Sequence, residues 1–277
     1  MSEKNVDVKV LRHGDLNMRF VINHAHGHMR IMDYRAGNYQ DKRSQLDEMV
    51  RKEGLRKVFT LVEKQDSQNW RSVGFFREGV YPAFFRTADA YAMSRLYDET
   101  GKPIDASGQS KNPSEEKVAF PGRKLRRPES LKIELVRDER QRNKVVSGFN
   151  GELRSLPFGR AEAPDVALHA TSRRKECWAL AEIDDSFGHA TVAFAPPPQS
   201  EDQLTLCAYA GNELIGLLQE RQVNNLFGLS PASDSWSNQL YAGLGFKVTG
   251  RLAGHLRVSD DLTTALIWHI RIAKTTQ

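Results

Sequence analysis

Apolar and polar positions alternate along residues 6–35, in "VDVKVLRHGD" and "MRFVINHAHGHMRIMDY". A period of two predicts strands, with tight turns at His13-Gly14-Asp15 and near Gly27. Residues 39–53, "YQDKRSQLDEMVRKE", change the period: Leu46, Met49 and Val50 fall on one helical face, and Gly54 closes the helix. "KVFTLVEK" (57–64) is a short β-rich run. "DSQNWRSVGF" predicts a helix with Asp66 as N-cap and Gly74 as its stop. "FFREGVYPAFF" and "DAYAMSRLYD" predict two further strands, so residues 1–98 read as one α+β unit.

Residues 99–129 lose this periodicity. They are rich in Gly, Pro, Ser and charge, which predicts a linker. The pattern resumes over 130–277. "LKIELV" (131–136), "VALHAT" (166–171), "CWALAEID" (177–184) and "HATVAFA" (189–195) predict strands. "SEDQLTLCAYAGNELIGLLQERQV" (200–223) predicts a long helix capped by Ser200, with Glu201 and Asp202 favoured by the dipole in its first turn. Gly211 in its middle costs about 1 kcal/mol and weakens the case for one continuous helix. A strand (224–230), a short helix (233–245) and two strands (246–258, 262–272) complete the second half. "NWRSVGFFREGVYPAFF" (69–85) and "NQLYAGLGFKVTGRL" (238–252) share one plan: a polar-aromatic helix, Gly-Phe, a strand and a second Gly. A repeated structural unit follows from that echo.

Composition narrows the class. With 39% hydrophobic and 27% charged residues, the chain reads as globular. No apolar run approaches the roughly 20 residues needed to span a bilayer, and the charged start is not that of a signal peptide. No membrane association and a cytoplasmic location are the expectation. Two cysteines, Cys177 and Cys207, predict buried thiols in a reducing compartment and no disulfide framework. A net charge of +5 points weakly to an anionic partner such as nucleic acid, and "GRKLRR" (122–127) is a solvated basic stretch or such a contact. His24, His26 and His28 alternate. In a flat strand all three would span about 13 Å and could not share one ion, so a polar sheet face or hairpin tip is expected and no metal. The four tryptophans fall inside predicted elements and read as core.

The phrases "LYAGLGFKVTGRL", "ALAEIDDSFGHATVAFAPPP" and "IWHI", in the order strand, long helix, strand, short helix, strand pair, resemble the carboxyl half of GCN5-related N-acetyltransferases. The chain is similar in particular to the beta-lysine N-acetyltransferases, which carry a partial unit before the full one; here "HMRIMDY", "RKVFTLVEK" and "VGFFREGVYPAFFRTADAYAMSRL" look like that leading unit. The resemblance implies an α+β fold of two acetyltransferase-like units, each a mixed, mostly antiparallel sheet with flanking helices. The first is a partial unit (1–98); a linker (99–129) and the second unit (130–277) follow. It also implies acetyl-CoA in the gap between two splayed strands, against Val192, Phe194, Ala195 and Asn238. Its pyrophosphate would rest on amides at the start of the long helix. Tyr241 would be the general acid that protonates the leaving thiolate.

The chain departs from that pattern where the cofactor would sit. The segment "FAPPPQSEDQL" (194–204) has no glycine, and Pro196, Pro197 and Pro198 have no N–H to offer. Glu201 and Asp202 put negative charge where phosphate charge belongs, and no Arg or Lys lies between Lys175 and Arg221. The strand "HATVAFA" carries no acid, which leaves Glu182, Asp184 and Asp185 as the nearest general-base candidates, Glu182 first. Two functions follow. One is a degenerate acetyltransferase-fold protein in a non-catalytic binding or scaffold role, with a protein partner and no cofactor. The alternative is an acetyl-CoA-dependent N-acetyltransferase acting on a small amine such as a beta-lysine-like amino acid.

Overall fold

The period-two segments become strands. In the computed structural model, which describes residues 6–13, 16–32, 39–105, 126–148, 164–258 and 261–272, β2 (Leu16–Asn23) pairs antiparallel with both β1 (Val6–His13) and β3 (His28–Ile31). Residues 24–27 form the turn before β3, so His24 and His26 are turn residues and do not share a strand face with His28. His24 is exposed beside Asp7 (3.1 Å), whereas His26 and His28 are buried. Gly14 and Asp15 lie outside the described residues.

The helix predicted over 39–53 is α1 (Tyr39–Glu53), with Leu46 and Val50 fully buried on the expected face. It is followed by β4 (Lys57–Val62), α2 (Ser67–Ser72), β5 (Phe76–Tyr81), β6 (Ala90–Tyr97) and β7 (Pro103–Ile104). β4 is buried at every position, as a strand covered on both faces should be, and it pairs parallel with β3. Asp66 does not cap α2. Its own backbone is helical (φ −84°, ψ −15°), because it ends a 3₁₀ turn (Lys64–Asp66), and a capping side chain needs extended backbone. The strand expected to reach Phe85 stops at Tyr81, where Pro82 removes a ladder donor and Asp89 accepts the Ala83 N–H (2.8 Å).

The second half begins with β8 (Lys132–Leu135) and α3 (Glu139–Gly148). Sequence reading misses α3, whose charged run "ERQRNK" carries too few apolar positions to show a period; Val145 anchors it against Ala167, Leu180 and Ala195. Then come β9 (Val166–Ser172), β10 (Lys175–Asp184), β11 (His189–Ala195), α4 (Glu201–Glu220), β12 (Asn225–Pro231), α5 (Ser235–Gly243), β13 (Lys247–Val258) and β14 (Asp261–Arg271). Helix α4 is unbroken at Gly211. A Cβ there would lie 2.7 Å from Leu244 and 3.1 Å from Phe194, so the glycine marks close packing and not a break. Leu204, Cys207, Gly211, Leu214 and Leu218 form its buried stripe.

The chain divides into two compact units, Met1–Pro113 with Gly250–Ala265, and Ser114–Thr249 with Leu266–Gln277. In the first, strands follow the order β1-β2-β3-β4-β6-β5, and Gly250 of β13 pairs with Gly79 of β5. In the second the order is β8-β9-β10-β11-β12-β14. Each is a mixed, mostly antiparallel sheet with flanking helices, the α+β class expected. Each contains one parallel pair flanking a helix: β3 and β4 around α1, β11 and β12 around α4.

The echo in the sequence is reproduced atom by atom. Trp70 and Tyr241 each lie five residues before a phenylalanine. The Phe75 N–H bonds the Trp70 carbonyl at 3.0 Å, and the Phe246 N–H bonds the Tyr241 carbonyl at 3.0 Å. The intervening glycines have left-handed φ of +89° (Gly74) and +88° (Gly245). Both aromatic pairs meet edge to face, with centroids 4.8 and 5.3 Å apart. A helix that ends on a left-handed glycine turns its last aromatic back over the next strand, and only glycine takes that φ without strain.

Candidate functional site

The residues implicated by the resemblance gather at the end of β11, the start of α4 and the helix α5. β11 and β12 pair in parallel only from His189↔Asn225 to Thr191↔Phe227, although both strands continue for several residues. A gap therefore opens beyond Thr191. Tyr241 fills its neighbourhood. Its hydroxyl donates to the Val192 carbonyl of β11 at 3.0 Å. Its ring stacks on Trp268 (5.6 Å, 13° between planes) and meets Phe194 edge-on at 5.7 Å. The side chain is buried, and burial, followed by the nearby Asp234 carboxylate, pushes its phenol above the ordinary range.

The ring is seated on Gly228 of β12. A Cβ at residue 228 would stand 2.3 Å from Tyr241 Cε1 and 2.8 Å from its hydroxyl oxygen. Gly228→Ala must therefore displace the ring, and overpacking of this kind costs about 1–3 kcal/mol. Urea unfolding should show that loss; a variant as stable as the parent would mean that the ring moves freely.

Asn238, one turn before Tyr241, spends both ends of its amide inside the fold. Its Oδ1 accepts from Ser230 Oγ (2.6 Å) and its Nδ2 donates to the Ala232 carbonyl (3.1 Å). Ser230 Oγ in turn accepts from Trp268 Nε1 (2.7 Å). The chain Trp268–Ser230–Asn238 fastens α5 to β12 and β14. Of the remaining predicted cofactor contacts, Val192 and Ala195 are buried and Phe194 is half-buried.

At the start of α4 the helix caps itself. Ser200 is the N-cap, as predicted, and its Oγ accepts from the Gln203 N–H (3.4 Å). Gln203 Oε1 accepts the Gln199 N–H (2.9 Å). With three prolines before them and two amides taken up in this way, few donors are left to hold a pyrophosphate. One sequence inference is corrected. The first turn does have a cation, because the β9–β10 turn brings Lys175 onto Asp202. Lys175, with Arg173 further off, holds the exposed Asp202 carboxyl below its ordinary range. A groove beside this turn is lined by Arg126, Arg127, Arg173, Arg174 and Lys175 together with Glu201 and Asp202. Residues 122–125 of the basic run lie outside the described residues.

Glu182, the candidate base, is buried on β10 opposite Thr191. Alternation puts it on the sheet face of Trp178 and Leu180, which packs against Val145 of α3. Tyr241 belongs to the core on the α4 face with Ala181 and Ile183. The two candidates thus lie on different faces of the sheet. Asp184 closes the β10–β11 turn, accepting the Ser186 N–H at 3.0 Å. Among the described residues no group of three or more His, Cys, Asp or Glu side chains is placed to hold a metal ion, and no helix is long and apolar enough to cross a membrane.

No family model and no curated protein matches the chain. Solved structures do. The ribosomal-protein-S18-alanine N-acetyltransferase from Escherichia coli is similar over 53% of this chain and 97% of its own, at 19% identity and a TM-score of 0.39. A putative acetyltransferase from Salmonella typhimurium, solved with its cofactor acetyl-CoA, is similar over 53% and 97%, at 12% identity and a TM-score of 0.40. The spermidine N-acetyltransferase from Vibrio cholerae, in complex with CoA and spermine, is similar over 51% and 95%, at 12% identity and a TM-score of 0.38.

Proposed function

We propose that this chain is an acetyltransferase-fold protein that no longer carries out acetyl transfer and acts by binding a protein partner. The observation that carries this reading is the bond from the Tyr241 hydroxyl to the Val192 carbonyl. A phenol has one proton to give. Here it closes the gap between β11 and β12 from inside, with the ring seated on Gly228. Proton donation is efficient when the acid is matched to the group it serves. A phenol raised above its usual value of about 10 is poorly matched to a thiolate of pKa near 8.5.

The repeat supports the same view. Trp70 occupies in the first unit the place of Tyr241 in the second, with the same backbone bond and the same edge-on phenylalanine. An indole has no comparable proton to transfer, so the position serves packing in one unit and needs nothing more in the other. The start of α4 fits acetyl-CoA poorly as well. Pro196–Pro198 lack donors, and the amides of Gln199 and Gln203 already have side-chain acceptors.

The second reading, an N-acetyltransferase on a small amine using acetyl-CoA, is favoured by one observation. β11 and β12 stop pairing after Thr191 while Lys175 and Arg173 offset the negative charge of Asp202. One experiment separates the two. A ligand that prefers the folded state raises the melting temperature by mass action. Millimolar acetyl-CoA is expected to leave it unchanged. A concentration-dependent rise, with turnover that Tyr241→Phe abolishes while binding persists, would overturn the non-catalytic reading.

A further inference from the structure

We infer that Cys177 and Cys207 are one redox site, a dithiol that closes to a disulfide between β10 and α4, and not two separately packed thiols. Their Sγ atoms are 2.7 Å apart, about 0.7 Å beyond the roughly 2.05 Å of a disulfide bond. A thiol is a weak donor and a weak acceptor, so hydrogen bonding alone gives little reason for so close an approach. The two side chains are essentially fully buried in the same core and are the only cysteines of the chain, so neither has a rival partner within it. They are free thiols in this structure.

The oxidant is hydrogen peroxide. One sulfur attacks a peroxide oxygen, the O–O bond breaks, and a sulfenic acid and one water result. The second sulfur attacks the sulfenic sulfur, the S–O bond breaks, and hydroxide leaves with the thiol proton as a second water. Two S–H bonds and one O–O bond give way to one S–S bond and two O–H bonds; the sulfurs lose two electrons together and the peroxide gains them. Burial, with Cys207 beside it, keeps the Cys177 thiol neutral. The reaction therefore waits on local opening of α4 from β10 and is slow.

The bond would enclose residues 178–206. These include β11, the proline run and the first turn of α4, so oxidation pins the segment that forms the start of the candidate site. The reduced chain keeps α4 tied to β10 by packing and by the exposed Lys175–Asp202 ion pair.

The test oxidises the purified full chain with hydrogen peroxide, denatures it, alkylates free thiols and measures intact mass and cross-linked peptides. The expected product has lost the mass of two hydrogens, takes no alkylating agent, and yields one peptide pair joining residues 177 and 207. Its melting temperature rises by roughly 5–10 °C through the closed loop, and dithiothreitol reverses the rise. Cys207→Ala, a small replacement beside Ala208 and Ala210, should retain one thiol that gains oxygen or stays alkylatable and never loses hydrogens. Two thiols that remain alkylatable in the parent chain, oxygen added without a cross-link, or disulfide-linked dimers would each overturn the proposal.

Discussion

Lys57→Met is expected to remove about 3–5 kcal/mol of unfolding free energy, as loss of one partner of a buried ion pair does. Lys57 is fully buried, and its Nζ lies 2.6 Å from Glu78 Oε2 and 2.8 Å from the Ala253 carbonyl. Glu78 also accepts from Ser94 Oγ at 2.5 Å and from the Ala253 N–H at 2.7 Å. Every partner in this network lies in the first unit, and it ties β4, β5, β6 and β13 at one point. Burial lowers the pKa of Lys57, and the Glu78 carboxylate opposes that shift. Without the ammonium, Glu78 keeps two donors but no countercharge in a site shielded from solvent. The double variant Lys57→Met/Glu78→Met should cost clearly less than the sum of its singles, because the second change removes the stranded charge. Urea unfolding of the three proteins gives the coupling directly. Strictly additive losses would mean that the pair does not act as a pair.

Acid is expected to loosen the same unit well before ordinary carboxylates titrate. His28 and His255 are buried with ring centroids 4.6 Å apart, and His26 lies 5.8 Å from His28. Among the described residues, His28 Nδ1 and both ring nitrogens of His255 have no hydrogen-bond partner. Burial first, then His26 and the Lys57 ammonium, bring His28 down from 6.5 to about 3. Burial, His28 and Lys57 push His255 well below its ordinary value. In the window between 6.5 and about 3 the unfolded chain binds protons that the folded chain refuses, so stability rises with pH there. The contribution is fully present above 6.5 and is lost as the pH falls below it. At pH 5 the loss is about 2 kcal/mol for His28, and His255 adds to it in the same direction. Urea midpoints measured from pH 7 to pH 5 should fall steeply, and His28→Gln should flatten the slope. A parent protein with the same midpoint at both ends would show that the pair is protonated or hydrated when folded.

What could be read in advance was what is decided within a few residues. The bounds of α1, the Ser200 cap, the buried stripe of α4 and the two aromatic–Gly–Phe turns follow from side-chain period, cap chemistry and the φ that glycine allows. Asp66 shows the limit of such rules. The residue type was right for a cap, but the 3₁₀ turn before it had already set a helical backbone. Helix α3 was illegible because its buried anchor Val145 follows a charged run.

The candidate site was legible as a set of residues and not as a set of contacts. Tyr241 meets Val192 and Phe194, with Asn238 one turn before it on α5, but their hydrogen bonds and ring contacts run to one another and to Ser230, Ala232, Phe246 and Trp268. Spacing along the chain puts no Lys or Arg between Lys175 and Arg221, yet a hairpin turn returns Lys175 itself to Asp202.

The sequence by itself determined most of the elements, their order and the repeated helix–Gly–Phe–strand unit, because period, caps and turns act over about four residues. The tertiary structure alone decided which buried groups meet: Lys57 with Ala253 across 196 positions, Tyr241 with Val192 across 49, Cys207 with Cys177 across 30. A charge, a phenol or a thiol takes its role from whatever the strand order sets against it, and strand order is a property of the packed sheet and not of any local stretch of chain.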